Sequence, residues 1–483
     1  MRKFTILVIA LLISFTLAAC GGPSVAPAPL STGNLNMIFV VSEDLAYHAS
    51  GDVDSNTANL TNQGLQRSLL MATFLKQQVL GTKNVNGIYA IEPMTHLQTS
   101  NNYPDMTALV TIQQFALLNQ ITMTSGTAGE PPCTANSYPV NVSYAPGPVP
   151  AGVAAPFLPA KGCQGLDFKD QGGANETLLA GIIKANTPGF YIFSAPWETV
   201  SGLMANINKL QGFNLALPAI YKSPDYIYVI SIAPSGSASL VTYNSNLNPP
   251  ATYPSPKVTS TASTATPFSI TVTGGVGGAV IPAGINTNET LYMIRHAEAH
   301  PGYFDDGNYI GAGQWRALAL PDALRGKISP DQVYSIDPAQ VLPGTVSASD
   351  QAYWSYVRPS LTVAPYAIAN NLPYNLAASF EIFAENPPQL CPNASAFFFT
   401  GGKFSNQKVL VAWEHGHIPP TVNALLSSYF PNGGAPTAPA WAAENDYDTI
   451  WTVTLDAKGN VTVDNSMCEG ILSSALPATC PQY

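Results

Sequence analysis

The pattern of apolar and polar segments occurs twice along the chain, as a first and a second series of segments. In each series a continuous apolar run is followed by helically spaced apolar residues and by further runs and helices. Each series closes on two segments in which apolar and polar residues alternate on either side of a glycine turn. Continuous apolar runs are typical of strands buried on both faces, and alternating runs of strands with one exposed face. The pattern therefore predicts, twice over, an α/β fold with a mainly parallel sheet between two helical layers and an antiparallel hairpin at one edge.

Four segments of the first series match four segments of the second in the same order. The matches are LNMIFVVSEDLAYH with TLYMIRHAEAHP, TNQGLQRSLLMATFL with GAGQWRALALPDAL, GFYIFSAPWETVSGLMANI with KVLVAWEHGHIPPTVNALL, and SPDYIYVISIAPSGSASLVTYNSNL with ENDYDTIWTVTLDAKGNVTVDNSMC. The second pair shares a Gly-x-x-Arg motif. Four collinear matches indicate a tandem duplication.

The domain boundaries follow from segments that lack this periodicity. Residues 246–287 are rich in Pro, Gly, Ser and Thr and separate the two series. We therefore predict a first domain at 36–245, a linker at 246–287 and a second domain at 288–483. Residues 20–35 are predicted to form a short Pro-rich tether.

The N-terminus has the features of a secretory signal. Arg2 and Lys3 precede an apolar run that ends near residue 19, and this run is short for a bilayer crossing. The sequence LAAC at 17–20 resembles the lipobox of bacterial lipoproteins, which implies that Cys20 is diacylated and becomes the first residue once residues 1–19 are removed. Gly21 favours the outer membrane or the cell surface. Plain secretion or an uncleaved anchor is the alternative.

Composition narrows the classes of partner. Only 10% of the residues are charged, against about 25% in typical soluble domains, and the formal net charge is -10. Nucleic acid is excluded as a partner, because such binding needs clustered Lys and Arg. The low charge suits a protein outside the cytoplasm.

In an oxidising compartment disulfides are the default prediction for the cysteines. Cys133 and Cys163 flank a Pro/Gly-rich insertion and form the favoured pair. Two of the last three cysteines, Cys391, Cys468 and Cys480, could form another bridge.

The second series carries histidines and arginines where strands end. Arg295 and His296 follow the run LYMI, His415 follows VLVAW, and Arg358 precedes a helix. Ligands of α/β folds bind at the carboxyl ends of the strands, so these groups are expected to converge. An imidazole can attack phosphorus, guanidiniums can hold its oxygens, and a carboxylic acid can protonate the leaving alkoxide. The pattern thus favours phosphoryl transfer through a phosphohistidine, without a metal or other cofactor, because these cations already supply the positive charge.

Three motifs of the second series resemble those of the histidine phosphatase superfamily, the group that includes phosphoglycerate mutases and acid phosphatases. They are Arg295-His296-Ala297, the segment from Arg358 to Thr362, and Glu414-His415-Gly416. The resemblance spans most of residues 290–465 and implies two tandem phosphoglycerate mutase-like α/β/α domains, the first degenerate.

The resemblance also implies roles for individual residues. His296 is the expected nucleophile, and Arg295, Arg358 and His415 are expected to bind the transferring phosphoryl group, with His415 also counted as catalytic. The expected proton donor is a glutamate between the arginine segment and the second histidine. Glu381 fits best, with Glu385 and Glu298 as alternatives.

The first series lacks these groups. Its aligned positions are Ser42-Glu43 for the Arg-His pair, Thr95 for the arginine and Trp197 for the second histidine. We therefore predict a phosphatase-like domain without catalytic function.

The leading hypothesis is an extracytoplasmic phosphomonoesterase that acts on a small phosphate ester. The low positive charge makes highly phosphorylated substrates less attractive. The alternative is a surface binding lipoprotein built on a duplicated phosphatase-like scaffold, with little or no turnover.

Overall fold

The computed structural model describes residues 27–123, 129, 131–142, 165–258, 265–301, 304, 306–339, 341–343, 353–377 and 391–483. The signal segment, Cys20, Cys163, Glu381 and Glu385 lie outside these ranges, so what the sequence predicts for them stays a prediction. Within the described ranges, no helix is both long enough and apolar enough to cross a membrane.

The first half contains nine strands and four α-helices in its described part. They are β1 (Leu35–Val41), α1 (Asn62–Phe74), β2 (Gly87–Ala90), β3 (Leu97–Gln98), β4 (Tyr103–Pro104), α2 (Thr107–Leu117), β5 (Ile121–Met123), β6 (Cys133–Ala135), α3 (Ala174–Ala185), β7 (Gly189–Ala195), α4 (Trp197–Leu210), β8 (Tyr226–Ile232) and β9 (Ala238–Asn244).

The described part of the second half adds nine strands and four α-helices. They are β10 (Ser269–Val272), β11 (Glu289–Arg295), α5 (Gly311–Ala323), β12 (Gln332–Ile336), β13 (Val341–Pro343), β14 (Tyr353–Ser355), α6 (Arg358–Ala369), β15 (Tyr374–Ala377), α7 (Cys391–Phe399), β16 (Lys408–Trp413), α8 (Ile418–Ser428), β17 (Thr449–Leu455) and β18 (Val461–Cys468). Strand β10 lies in the predicted linker and pairs with β18.

Two mixed sheets carry the fold. The first has the strand order β2-β7-β1-β8-β9, and the second has the order β10-β18-β17-β11-β16-β12-β15. Strands β2, β7 and β1 run parallel, as do β15, β12, β16 and β11. The hairpins β8–β9 and β17–β18 are antiparallel and lie beside them. The predicted α/β class and its hairpins are confirmed, although half of the strand pairs within these two sheets are antiparallel, more than the sequence pattern predicts.

The strand order of the first sheet recurs inside the second. The order β2-β7-β1-β8-β9 is repeated as β12-β16-β11-β17-β18, with β15 and β10 added at the two edges. The tandem duplication stays a prediction, and this shared order supports it.

The two halves share one hydrophobic core. A single buried cluster joins α1, α2, α5 and α6 with one face of each sheet; its members include Ile38, Leu69, Phe115, Ile294, Leu320 and Leu361. Helices α3 and α4 cover the other face of the first sheet, and α7 and α8 cover that of the second. Burial of apolar side chains stabilises such helices. Each half therefore needs the other to bury the helices of this shared core, α1 and α2 in the first half and α5 and α6 in the second.

The Gly-x-x-Arg motif of the first half has a structural role. A Cβ on Gly64 would lie 2.2 Å from the Asp52 carbonyl oxygen, so only glycine allows α1 to approach this backbone so closely. Arg67, one turn later, is buried and pairs with the Asp52 carboxylate and, at 2.7 Å, with Asp225. The glycine thus brings the arginine to its carboxylate partner.

The second half has the same arrangement of a close-packed glycine and a buried arginine. A Cβ on Gly313 would lie 2.9 Å from the Glu298 carbonyl oxygen. Arg316 is fully buried, forms a two-pronged ion pair with Glu298 and also pairs with Glu469. The motif is therefore shared because the fold needs it, and it says nothing about catalysis.

The favoured disulfide joins Cys133 to Cys163, which lies outside the described residues, so this bridge stays a prediction. Cys133 lies in β6, which pairs with β5.

Two carboxyl groups meet where the halves join. Glu92 and Asp337 are both fully buried, and each has one oxygen without a hydrogen-bond partner. The strand registers place them at equivalent positions, two residues beyond Ala90 of β2 and Ser335 of β12. Burial, and then the neighbouring Asp337, raises the pKa of Glu92 well above its usual value, and burial raises the pKa of Asp337 to about 6. The pair therefore retains a proton at pH values where unfolded carboxyl groups have lost theirs.

This pair predicts a stability that falls as pH rises. Because folding raises both pKa values, the stabilisation from the bound protons is fully present below about pH 4, where unfolded carboxyl groups are also protonated. It falls as the pH rises through the folded-state pKa values, by up to about 1.4 kcal/mol for each pH unit and proton. The Glu92→Gln variant keeps a hydrogen-bond donor but no titrating group, so it should lose less stability than the natural protein between pH 5 and pH 8. Urea unfolding at the two pH values measures the difference, with the exposed Glu176→Gln as control. Equal losses in all three proteins would contradict the shared proton.

Candidate active site

The histidines predicted for the site lie just beyond the carboxyl ends of β11 and β16, two adjacent parallel strands. Strand β11 ends at Arg295, directly opposite Trp413 at the end of β16. The His296 amide continues the pairing by donating to the Trp413 carbonyl at 2.8 Å. Arg358 begins α6, and Thr362 on its next turn accepts a 2.8 Å hydrogen bond from the Ala297 amide. The helix start is thereby fixed against the end of the strand.

His296 has one defined tautomer. Its Nδ1 lies 2.8 Å from the Ala297 carbonyl oxygen, and because a carbonyl only accepts, Nδ1 carries the proton. The Arg358 Nε–H donates to the other nitrogen, Nε2, at 3.3 Å. Burial, followed by the charges of Arg358 and Arg295, holds the pKa of His296 well below its usual value. The imidazole is neutral, with the Nε2 lone pair directed toward a guanidinium.

Arg295 is buried beside this imidazole. Its Nη1 donates to the Glu444 carbonyl and, at 3.3 Å, to that of Asp446, and its Cζ lies 3.9 Å from the centre of the Tyr447 ring. Its buried Nε has no hydrogen-bond partner. A buried donor of this kind costs free energy until an acceptor arrives, and a phosphoryl oxygen is a suitable acceptor.

Glu414 organises the second histidine segment. Its carboxylate is in contact with His415 Nδ1, lies 2.8 Å from His417 Nδ1 and accepts a 2.7 Å hydrogen bond from the Gly416 amide. Burial raises the pKa of Glu414, yet its contacts with the two histidines bring it well below the usual value. His417 also stacks on Trp413 at 5.2 Å. Glu414 is thus a local positioning group.

His415 joins the other groups through Glu444. Its Nε2 lies 3.2 Å from Glu444 Oε2, and the carbonyl of the same Glu444 holds Arg295. The contributions of Glu444 and Tyr447 could not be predicted from the sequence. In the sequence their segment is an acidic turn ahead of a strand, and no sequence pattern indicates that this turn contacts the end of β11.

The alternative proton donor Glu298 is unsuitable. Its two oxygens accept hydrogen bonds of 2.7 to 3.0 Å from the buried Arg316 guanidinium. Because both oxygens are bound by this guanidinium, the carboxyl group is not free to reach the leaving oxygen of an ester at His296. Proximity to His296 in the sequence was misleading here, because Glu298 points to α5. Glu381 and Glu385 lie outside the described residues.

In the first half the strand register corrects one aligned position. Val41 lies opposite Ala195 on β7 as Arg295 lies opposite Trp413 on β16. The counterparts of the Arg-His pair are therefore Val41-Ser42 and not Ser42-Glu43. Apolar runs fix a strand only to within a residue or so, whereas the hydrogen-bonded register is exact to the residue.

The counterpart of the arginine also differs from the alignment. Helix α2 packs against α1 as α6 packs against α5, and α2 begins at Thr107. The position of Arg358 is therefore taken by Thr107, and Thr95 lies in a separate short turn. Trp197, two residues beyond β7, does occupy the place of His415. A serine, a threonine, a valine and a tryptophan thus replace the four phosphate-site groups.

Comparison with known proteins gives distant structural neighbours only. No family model and no curated protein matches the chain. A phosphoglycerate mutase from Plasmodium falciparum is 14% identical, with a TM-score of 0.24, over 41% of this chain and 99% of that one. The protein histidine phosphatase SixA complexed with tungstate is 17% identical, with a TM-score of 0.20, over 37% and 97%. Mycobacterial hydrolase 2 is 13% identical, with a TM-score of 0.24, over 37% and 91%.

One of these neighbours is a phosphoglycerate mutase and another is a protein histidine phosphatase. Their identities and TM-scores are too low to say what this chain acts on.

Proposed function

We propose that the second half hydrolyses a phosphate monoester through a phosphohistidine formed on His296. The observation that carries the proposal is the buried, neutral imidazole, whose Nδ1 proton is held by Ala297 while Nε2 faces Arg358. Nε2 carries no proton, so its lone pair can attack phosphorus once the Arg358 Nε–H turns from Nε2 to a phosphoryl oxygen.

The reaction has two balanced steps. In the first, the Nε2 lone pair of His296 forms a bond to phosphorus, the ester P–O bond breaks, and the leaving oxygen takes a proton from a carboxylic acid, for which Glu381 stays the prediction. In the second, water attacks phosphorus, the P–N bond breaks, and the carboxylate takes a proton from that water. Phosphate is released and both groups are restored.

Arg295 and Arg358 stabilise the charge that moves during these steps. Both guanidiniums are more than nine-tenths buried, where charge-assisted hydrogen bonds are stronger than in water. The unpartnered Nε of Arg295 is a donor ready for a phosphoryl oxygen. We assign His415 to the same phosphoryl group, once its Nε2 has exchanged Glu444 for an oxygen of the ester.

The experiment that tests the proposal is the release of inorganic phosphate from an aryl phosphate by the natural protein and by His296→Ala. A binding protein on the same scaffold would hold phosphate esters without releasing phosphate. Undiminished release by His296→Ala would refute the proposed mechanism.

We also propose that the protein is a lipoprotein of the bacterial cell envelope, anchored through Cys20. The support is the LAAC sequence at 17–20 after a short apolar run. Cells supplied with labelled palmitate should label the natural protein and not Cys20→Ala. Equal labelling of both would contradict the anchor.

A further inference from the structure

One acidic segment touches several groups of the site. Residues 442–448, AAENDYD, contain three acidic residues and no basic one. The carbonyls of Glu444 and Asp446 accept hydrogen bonds from Arg295, and the Tyr447 ring covers its guanidinium. The Tyr447 ring also meets the His296 ring edge-on, with 6.0 Å between the centroids. This turn therefore forms one wall of the phosphoryl site.

The Glu444 side chain lies at the mouth of the site. Its carboxylate is 3.2 Å from His415 Nε2, although the side chain is 90% exposed. The His415 side chain is only 18% exposed, so Glu444 contacts it from the solvent side of the site. A phosphoryl oxygen that binds His415 must displace the Glu444 carboxylate from Nε2. The displaced carboxylate then lies at the mouth of the site, beside the alcohol part of the bound ester.

The surface next to Arg295 is negative as well. A cavity of about 310 Å³ borders the segment and is lined in part by Asn445, Asp446, Tyr447 and Asp448. The carboxylate of Asp446 accepts a hydrogen bond from Thr449, and that of Asp448 accepts two from backbone amides. These hydrogen bonds hold both acidic side chains in the turn beside the approach to Arg295.

We propose that Glu444 selects among phosphate monoesters by the charge of their alcohol part, favouring a cationic or neutral alcohol over an anionic one. This inference rests on the proposed phosphatase function. The buried arginines attract the phosphoryl group of every ester equally, whereas the exposed carboxylate interacts only with what the ester carries beyond it. Because the Glu444 side chain is 90% exposed, the effective dielectric constant around it is closer to that of water, about 60, and two unit charges about 6 Å apart then change affinity roughly fivefold, attractive or repulsive.

Three esters of similar size test the selection: ethanolamine phosphate, ethyl phosphate and phosphoglycolate. Their alcohol parts carry one positive charge, no charge and one negative charge. We expect kcat/KM of the natural protein to fall in that order, by roughly fivefold at each step. In Glu444→Gln the three values should agree within about twofold, and in Glu444→Lys the order should reverse. Glu198→Gln removes an exposed carboxylate of the first half and should leave the order unchanged.

The outcomes separate this inference from the function on which it rests. Equal kcat/KM for the three esters, together with hydrolysis of an aryl phosphate, would overturn the role of Glu444 and leave the phosphatase intact. The inference is also wrong if Glu444→Gln slows all three alkyl esters alike and spares an aryl phosphate with a good leaving group, because Glu444 would then be the proton donor. A folded natural protein that hydrolyses none of the four esters would overturn both.

Discussion

The His296→Ala variant is expected to hydrolyse an aryl phosphate at least about a thousandfold more slowly than the natural protein, measured as kcat/KM. The reason is that the reaction loses the atom that attacks phosphorus, while Arg295 and Arg358 can only bind the ester. The matched control is Ser42→Ala, which changes the equivalent strand end of the first half and should retain full activity.

The same pair of variants reports on the covalent intermediate. With an ester labelled in its phosphoryl group, the natural protein and Ser42→Ala should retain label after a rapid quench into alkaline denaturant, because phosphohistidine is labile in acid. His296→Ala should retain none. Label that persists in His296→Ala would place the nucleophile elsewhere.

The Arg316→Met variant is expected to lose about 3 to 5 kcal/mol of unfolding free energy. Arg316 is fully buried and is the partner of both Glu298 and Glu469. It also donates to the Ile471 carbonyl at 2.8 Å. Its removal leaves two carboxyl groups without a cation in an apolar surrounding, and this costs more than the pairs themselves are worth. Urea unfolding at neutral pH measures the loss.

The matched control for this prediction is Arg325→Ala. Arg325 pairs with Asp322 one turn away on the surface, and its side chain is 77% exposed. Such pairs contribute about 0 to 1 kcal/mol, so this variant should unfold almost as the natural protein does. A loss of stability in Arg316→Met no larger than in Arg325→Ala would contradict the buried network.

Much of the candidate site could be predicted from short stretches of sequence. Arg295-His296 and His415-Gly416 stand directly after apolar runs, and a run that forms a buried strand places its next residues at the sheet edge. Register could not be predicted in the same way. Counting apolar residues paired His296 with Glu43, and only the hydrogen bonds of β1 to β7 show that Ser42 is the counterpart.

The contact partners of the acidic residues were the hardest feature to predict from the sequence. Glu298 stands two residues from His296 in the sequence, yet its carboxylate belongs to Arg316. Glu444 stands 148 residues from His296, yet its carbonyl and carboxylate hold Arg295 and His415. Sequence distance does not indicate which partner a carboxylate finds, because that depends on which elements pack together.

The sequence by itself determined that this is an α/β protein with two similar halves, and that only the second has an arginine-histidine pair at a strand end. These properties are local, since they depend on the residues of one strand and its turn. The tertiary structure decided the tautomer and charge of His296, through burial, the Ala297 carbonyl and the Arg358 guanidinium. It also joined the halves into one core. Burial and long-range contact set both results, and neither can be read from a single stretch of chain.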